Sequence, residues 1–384
     1  MDMSLLSLEY KEFINTPREW ILEEVQFNTI STLVVGKNST GKSRLLAVTR
    51  SLCGAIGGII PPMEGDFKVS VHLKSGIFQY LLNVENGKVQ SENLRLDERI
   101  LLDRHINKSA LLYFEKEGRA IESEFLDNSL AIATRQDNGQ HPWFVEFADW
   151  ARKARHYSFA VGFHQNLVAQ SSQILTASKE ISSTAFETGD VISTYIKAFE
   201  RFKEPFDQAV ISDMRMLGFP ITDVGLKPLI ELIPTAPPID VLMMYIIEDG
   251  VSTPIPQSGM SQGMYRTLAL LISLNAQIFA NDGKLILIDD IGEGLDYERS
   301  TALIKLLLTK NEKNSIQIVM ATNDRFVMNH VPLDNWCILQ RVDSIVSAFS
   351  AKTHKETFEE FEFTGLSNFD FFRSNAFSAN EPTE

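Results

Sequence analysis

The sequence predicts an α/β fold with a mixed β-sheet core, an antiparallel β-lobe and a helical insertion. Three observations predict it. A buried-strand pattern at 30–35 runs into a glycine-bounded loop and then a helix-forming segment at 43–52. Two more buried-strand patterns, 284–288 and 316–321, lie far downstream with a helical pattern between them, the alternation of an α/β sheet. Between these parts, 67–94 carries short alternating runs punctuated by Lys74-Ser75-Gly76 and Glu85-Asn86-Gly87. Asn-Gly between such runs is a hairpin signal.

Taken in order, 5–13 alternates apolar with polar residues and predicts a strand, with 20–27 as its antiparallel neighbour. After the loop and its helix, the Gly-, Ile- and Pro-rich stretch 54–62 is a turn. Strands are expected at 67–73, 78–84, 88–94 and 111–116. A helix is expected over 123–135, a second amphipathic one over 143–154, and a strand at 157–163. The segment 178–216 reads as mostly helical, 220–234 as irregular, and 241–248 as a strand. Then come an apolar helix at 265–278 and a helix at 300–308. Strands at 336–341 and 344–349 are placed to close the sheet. The tail after Lys355 mixes acids with Phe358, Phe361, Phe363, Phe369, Phe371, Phe372 and Phe377, a composition that predicts docking onto the body or onto a partner. The helical insertion lacks the long heptad run that a coiled-coil arm needs. The expected organisation is an N-terminal lobe at 1–155, the insertion at 156–240, a C-terminal lobe at 241–355 and the tail at 356–384.

Composition narrows the function classes. The 384 residues include 44% apolar and 22% charged residues, ordinary for a globular protein. No run of eighteen apolar residues is present, so no membrane span is expected. No basic segment followed by an apolar core opens the chain, so no secretory signal is expected. The two cysteines, Cys53 and Cys337, have no metal-binding spacing and suit a reduced, cytoplasmic setting. The formal net charge of −14 argues against polyanion binding by the whole surface and leaves room for a local basic groove. Arg152, Lys153, Arg155 and His156 form the candidate nucleic-acid patch, with Lys108, Lys116 and Arg119 nearby in sequence; a solvated face is the alternative reading.

Gly36-Lys37-Asn38-Ser39-Thr40-Gly41-Lys42-Ser43 fits G-x-x-x-x-G-K-[ST]. Glycines let the backbone curl its N–H groups toward phosphate oxygens, Lys42 adds a point charge for the β- and γ-phosphates, and the Ser43 hydroxyl suits Mg²⁺. The strand before it and the helix after it, which begins with Ser43 and Arg44, are the context the motif demands. Leu285-Ile286-Leu287-Ile288-Asp289 is a buried strand ending in a carboxylate, the Walker B form, where Asp289 would hold Mg²⁺ through water. Asp290 follows and can orient or deprotonate an attacking water. Two adjacent aspartates could also be a helix cap and a solvated charge.

Ser258-Gly259-Met260-Ser261-Gln262-Gly263-Met264-Tyr265-Arg266 opens the apolar helix, where small residues could again be only a cap. Its place shortly before Asp289 is that of the signature motif of ABC-type ATPases. Gly292-Glu293-Gly294-Leu295-Asp296 sits where their D-loop lies, and Ala321-Thr322-Asn323-Asp324 where their switch loop lies. The chain therefore resembles an ABC-type ATPase head of the non-transporter branch, the group of RecF, the SMC heads and the OLD-like ATPases. Asp289-Asp290 followed by Gly294-Leu295-Asp296, and Met260-Ser261-Gln262-Gly263, are nearer the RecF form than a transporter's. Phe78-Gln79-Tyr80, Asn86-Gly87-Lys88-Val89, Glu92-Asn93-Leu94 and Arg104 resemble the antiparallel lobe of OLD-like ATPases.

The resemblance implies ATP and Mg²⁺ as ligands, and a homodimer in which each phosphate loop faces the partner's signature serine across two ATP molecules. Ser261, Gln262, Gly263 and Asp296 would then complete the nucleotide cage, with Lys42, Asp290 and Asn323 in the catalytic set. Two departures imply slow turnover. Asp290 is one methylene shorter than the usual Glu, and Asn323 replaces the usual switch His and cannot take a proton. Gln165 is the Q-loop candidate by position. OLD proteins carry a C-terminal nuclease domain, which is not expected after Phe349, so an effector would be a separate protein. The resulting expectation is an ATP-operated switch in DNA- or RNA-linked repair or antiviral defence. An ATP-gated scaffold without nucleic-acid contact, or a transporter's nucleotide-binding subunit, are the alternatives.

Overall fold

The computed structural model describes residues 3–105, 109–159, 169–170, 191–236, 241–281, 284–362, 364–375 and 377. The chain divides into two compact units. One comprises 1–156, 284–288 and 311–384; the other comprises 157–283 and 289–310.

Eighteen strands are defined among the described residues. They are β1 (Ser4–Glu12), β2 (Trp20–Gln26), β3 (Ser31–Gly36), β4 (Gly65–Leu73), β5 (Gly76–Glu85), β6 (Lys88–Leu96), β7 (Arg99–Arg104), β8 (Ser109–Phe114) and β9 (Arg119–Glu124). There follow β10 (Ala154–Ser158), β11 (Ala169–Gln170), β12 (Ile221–Pro228), β13 (Val241–Glu248), β14 (Ile255–Pro256), β15 (Leu285–Asp289), β16 (Gln317–Ala321), β17 (Trp336–Val342) and β18 (Ile345–Ser350). The first unit is built on a fourteen-stranded sheet of order β10-β15-β16-β3-β17-β18-β2-β1-β4-β5-β6-β7-β8-β9. Its nucleus is parallel: β15 runs with β16, β16 with β3, and β3 with β17. These strands read as nearly continuous apolar runs because both faces are buried, and every residue of β3, β15 and β16 is buried. From β2 to β9 the pairing is antiparallel, and β4 and β5 alternate buried with exposed positions as a sheet with one solvated face should.

The structure corrects four local expectations. The helix expected at 123–135 is instead the end of β9, a loop and a single turn, Ala131–Thr134, because Ser123 and Glu124 pair with Ala110 and Ser109. The segment 220–234, expected to be irregular, holds β12, which β13 pairs over most of its length. Strands β7 and β9 were not anticipated. Strands β17 and β18 lie inside the sheet rather than closing it. The phenylalanine-rich tail does dock onto its own unit. Phe358, Phe361, Phe371 and Phe377 are buried; the Phe371 ring lies tilted against Phe361 with centroids 4.6 Å apart, and Phe377 reaches Phe349 at 5.3 Å.

Glu92 is the centre of the lobe's polar core. Its buried carboxylate accepts from Ala131 N (2.7 Å), Ile132 N (3.2 Å), the Tyr80 hydroxyl (3.1 Å) and Arg104 (3.3 Å). Arg104 in turn donates to the Ser129 and Leu126 carbonyls. A buried ion pair is tolerated when its remaining donors and acceptors are satisfied in this way.

The second unit packs the helices Val191–Phe202, Glu204–Met216 and Gln262–Ala280, with a small sheet in which β13 pairs β11, β12 and β14. Helix Gln262–Ala280, at 19 residues, is the longest among the described residues, so no long coiled coil is seen there. Asp213, Asn275 and Lys310 form a polar lock inside this unit: Asn275 Nδ2 donates to Asp213 (2.7 Å), and Lys310 reaches both. Among the described residues no helix is long and apolar enough to cross a membrane.

Candidate functional site: a phosphate loop and a signature helix

Strand β3 delivers the phosphate loop at its carboxyl end, and the helix Lys42–Ile56 leaves it. Three features set the loop's shape. Gly36 is the only residue type that fits, since a Cβ there would lie 2.5 Å from Thr40 Oγ1 and 2.8 Å from the Leu339 carbonyl. Ser39 takes φ +67 and Gly41 φ +107, left-handed values that curl the backbone. Thr40 Oγ1 donates to the Lys37 carbonyl at 2.9 Å and braces the curl. The buried Lys42 folds back, its Nζ donating to the carbonyls of Gly36 (2.8 Å) and Lys37 (3.1 Å). Ser43 is exposed in the first turn, which carries no acidic residue, so the helix N-terminus keeps its attraction for an anion.

The switch segment stands on the neighbouring strand. Thr322 N donates to the Val34 carbonyl at 3.2 Å, which ties the end of β16 to the strand that feeds the loop. Asn323 comes next and is exposed, and Asp324 turns the chain by capping helix Arg325–His330 through Phe326 N (2.7 Å).

In the second unit, Asp289 ends β15. Its backbone carbonyl accepts from Phe159 N at 2.8 Å, and its buried Oδ1 has no hydrogen-bond partner. Asp290 is half-buried at φ +53, a left-handed conformation that Asp tolerates better than most residues and that turns the chain sharply out of the strand. Ser261 caps the signature helix Gln262–Ala280 by accepting from Met264 N at 3.2 Å, and both Ser261 and Gln262 are exposed. Gly263 packs directly on the D-loop: a Cβ there would collide with the Gly294 carbonyl and lie 3.0 Å from the Leu295 side chain. Arg266 reaches the Glu293 carbonyl at 3.4 Å. Asp296 caps the next helix through Arg299 N (2.9 Å) and pairs with the Arg299 guanidinium; those bonds hold its carboxyl below the usual range.

The loop of the first unit has the chemistry of a phosphate-binding turn. In the first unit no Cβ fits at Gly36 and the Lys42 ammonium is tucked against the loop carbonyls; in the second unit, by itself, Asp289 keeps a buried oxygen without a hydrogen-bond partner. Among the described residues no three His, Cys, Asp or Glu side chains form a cluster able to hold a metal.

Residues 31–329 match the family model described as "AAA domain, putative AbiEii toxin, Type IV TA system". The chain belongs to this family. The solved head of an Smc protein bound to the C-winged helix domain of ScpA is 13% identical, with 92% of this chain and 99% of that one covered and a TM-score of 0.52. A Pyrococcus furiosus Smc head with an extended coiled coil, bound to the C-terminal domain of ScpA, is 12% identical over 94% and 100% of the two chains, with a TM-score of 0.49. No curated protein matches the chain. The family model makes the chain a P-loop ATPase of the AAA-domain type, and its fold is that of an SMC head.

The remaining sequence candidates have other partners. Arg152 donates to the Gly57 carbonyl at 3.0 Å and to Gln136; Lys153 pairs with Asp149 at 2.8 Å; and Arg155 bonds the carbonyls of Arg152 and Ala154. Gln165 lies outside the described residues, as do Lys108 and Phe363. Residues that sequence reasoning missed are Glu12 and Trp20, which meet Arg44 beside the loop, and Arg341, whose Nη1 reaches the Ser39 carbonyl at 3.5 Å. None lies in a motif, and only the pairing of β2 and β17 with their neighbours brings them there.

Proposed function

We propose that this ATPase is a slow, ATP-operated switch whose two copies close around two ATP molecules and pass their state to a separate effector in DNA- or RNA-linked repair or antiviral defence. The observation that carries this reading is the exposed start of the signature helix. Ser261 and Gln262, at the start of a helix of 19 residues, are exposed, and there they would take up the γ-phosphate held by another copy's loop. Lys42 would hold the β- and γ-phosphates, Ser43 and Asp289 the Mg²⁺, and Asp290 the attacking water. Mg²⁺ would neutralise charge developing on the phosphoryl oxygens.

Slow turnover is supported by the short Asp290 and by Asn323, which can bond a phosphate or a water but accepts no proton. A separate partner is supported by the matched Smc head, which was solved with a domain of ScpA, and a defence role by the family's description as a putative toxin of a type IV system. Light scattering on size-exclusion fractions with and without ATP tests the switch. The wild type is expected to dimerise with ATP and Ser261→Arg to remain monomeric; hydrolysis by Ser261→Arg at the wild-type rate would mean that one chain holds a complete site, and the reading would fall. Salt-dependent duplex binding, with and without ATP, tests the nucleic-acid part.

A further inference from the structure

Arg44 follows Ser43 in the first turn of the loop helix. Its guanidinium carbon lies 4.1 Å from the centre of the Trp20 ring, and its edge is ion-paired with the Glu12 carboxylate. Glu12 is buried and is held in turn by the Tyr10 hydroxyl at 2.8 Å. Trp20 is also buried and abuts the loop itself, since a Cβ on Gly41 would lie 2.9 Å from its Cζ2. Loop, indole and guanidinium therefore form one continuous wall. The Arg44 side chain keeps 42% of its surface exposed. With the guanidinium carbon over the indole and Nη2 on the carboxylate, the side chain still reaches solvent.

Resting on the ATP reading above, we propose that Arg44 is the nucleobase platform of the site, the base stacking on the open face of a guanidinium backed by Trp20. The phosphate end is already marked by Lys42 and the loop glycines. Arg44 is poorly suited to that end, because its Nη2 is ion-paired with Glu12 and the carboxylate would repel a phosphate. A flat, weakly hydrated cation on an indole is instead a surface that takes another π-system. Trp20 itself cannot serve, since Arg44 and the loop cover it. Every base has a π-face, so this platform does not choose between purines.

The test is isothermal titration of wild type, Glu12→Gln, Arg44→Lys and the double variant Arg44→Met with Glu12→Gln, using MgATP, MgGTP and magnesium tripolyphosphate. Met keeps aliphatic length against Trp20 but removes the plane, and Gln avoids leaving a buried carboxylate without its counter-charge; thermal melts check that each variant folds. The expected result is a loss of roughly tenfold or more in affinity for ATP and GTP alike in the double variant and in Arg44→Lys. Affinity for tripolyphosphate stays as in wild type, and Glu12→Gln alone loses less nucleotide affinity than the double variant. Equal losses for ATP and tripolyphosphate would make Arg44 a phosphate ligand, and unchanged ATP affinity would leave it a structural residue; either overturns the platform alone. A wild type that binds none of the three removes the ATP reading and the platform together.

Discussion

Gly263, at the start of the signature helix, lies so close to Gly294 of the D-loop that no side chain fits between them. Gly294 itself sits at φ +83, and Arg266 bridges the same two segments by its bond to the Glu293 carbonyl. The two motifs are one packed piece. Gly263→Ala should therefore displace the helix start from the D-loop. Overpacking costs typically ~1–3 kcal/mol, to be read as a lowered melting temperature. MgATP should still bind, because the phosphate loop belongs to the other unit, while ATP-dependent dimerisation and phosphate release should fall at least tenfold. Wild-type hydrolysis by a stably folded Gly263→Ala would show that the contact is packing only.

Lys42→Ala removes the ammonium held at Gly36 and Lys37. Hydrogen bonds to charged groups contribute about 1.5–3 kcal/mol, so MgATP affinity should fall by roughly ten- to a hundredfold, measured by titration calorimetry. The circular dichroism spectrum should be unchanged, since the loop's shape is set by Gly36, Gly41 and Thr40. Retention of full ATP affinity would remove Lys42 from the site.

Asp290→Asn keeps a residue that accepts the left-handed backbone at φ +53 but removes the charge that orients water. ATP should bind normally and be hydrolysed more slowly, by about 10²–10⁴-fold if the carboxylate acts as a general base. The variant should accumulate as an ATP-bound dimer on size-exclusion with light scattering. Mixing Ser261→Arg with Lys42→Ala should restore some hydrolysis, because a mixed dimer keeps one loop facing one intact signature. No recovery in a mixture shown to form mixed dimers would mean that both sites must fire together.

Acid stability should depend on His156. Burial, reinforced by Arg50 on the loop helix, lowers its pKa from 6.5 to about 4, and its Nε2 is buried without a partner. The folded state thus resists protonation that the unfolded chain accepts. Stability from this group is complete above pH 6.5 and is lost as pH falls from 6.5 toward 4, by up to ~3 kcal/mol. Asp207, raised to about 6 by burial, works in the opposite direction over part of the same range, so the comparison must be between variants. Urea titrations of wild type and His156→Gln at pH 7 and pH 4.5 should show a smaller acid loss in the variant; parallel losses would assign the acid sensitivity elsewhere.

The candidate site's motifs are legible because each is local in sequence. Eight residues spell the phosphate loop, and Asp289 is flagged by the apolar strand before it. The nucleus strands were legible for the same reason: burial on both faces leaves uninterrupted apolar runs. Strand β12 was hidden by Pro220, Gly225 and Pro228, and becomes a strand because β13 supplies partners and the Tyr245 ring fills the space over Gly225. The wall of Trp20, Glu12 and Arg44 was invisible because it joins two strands and a helix through side chains with no fixed spacing.

Strand β3 is flanked by β16 and β17, with Val319 beside Thr32 and Ile338 beside Val35. As the ribosome makes this chain, β3 emerges nearly three hundred residues before either neighbour exists. Its N–H and C=O groups then have no native ladder, and its apolar side chains have no layer to enter. Closing so long a loop is slow, and unpaired apolar strands invite aggregation while they wait. The candidate phosphate loop is therefore expected to reach its native setting late in synthesis. A nascent chain halted before β17 carries the whole phosphate-loop motif yet lacks the strand whose Leu339 carbonyl shapes the turn at Gly36.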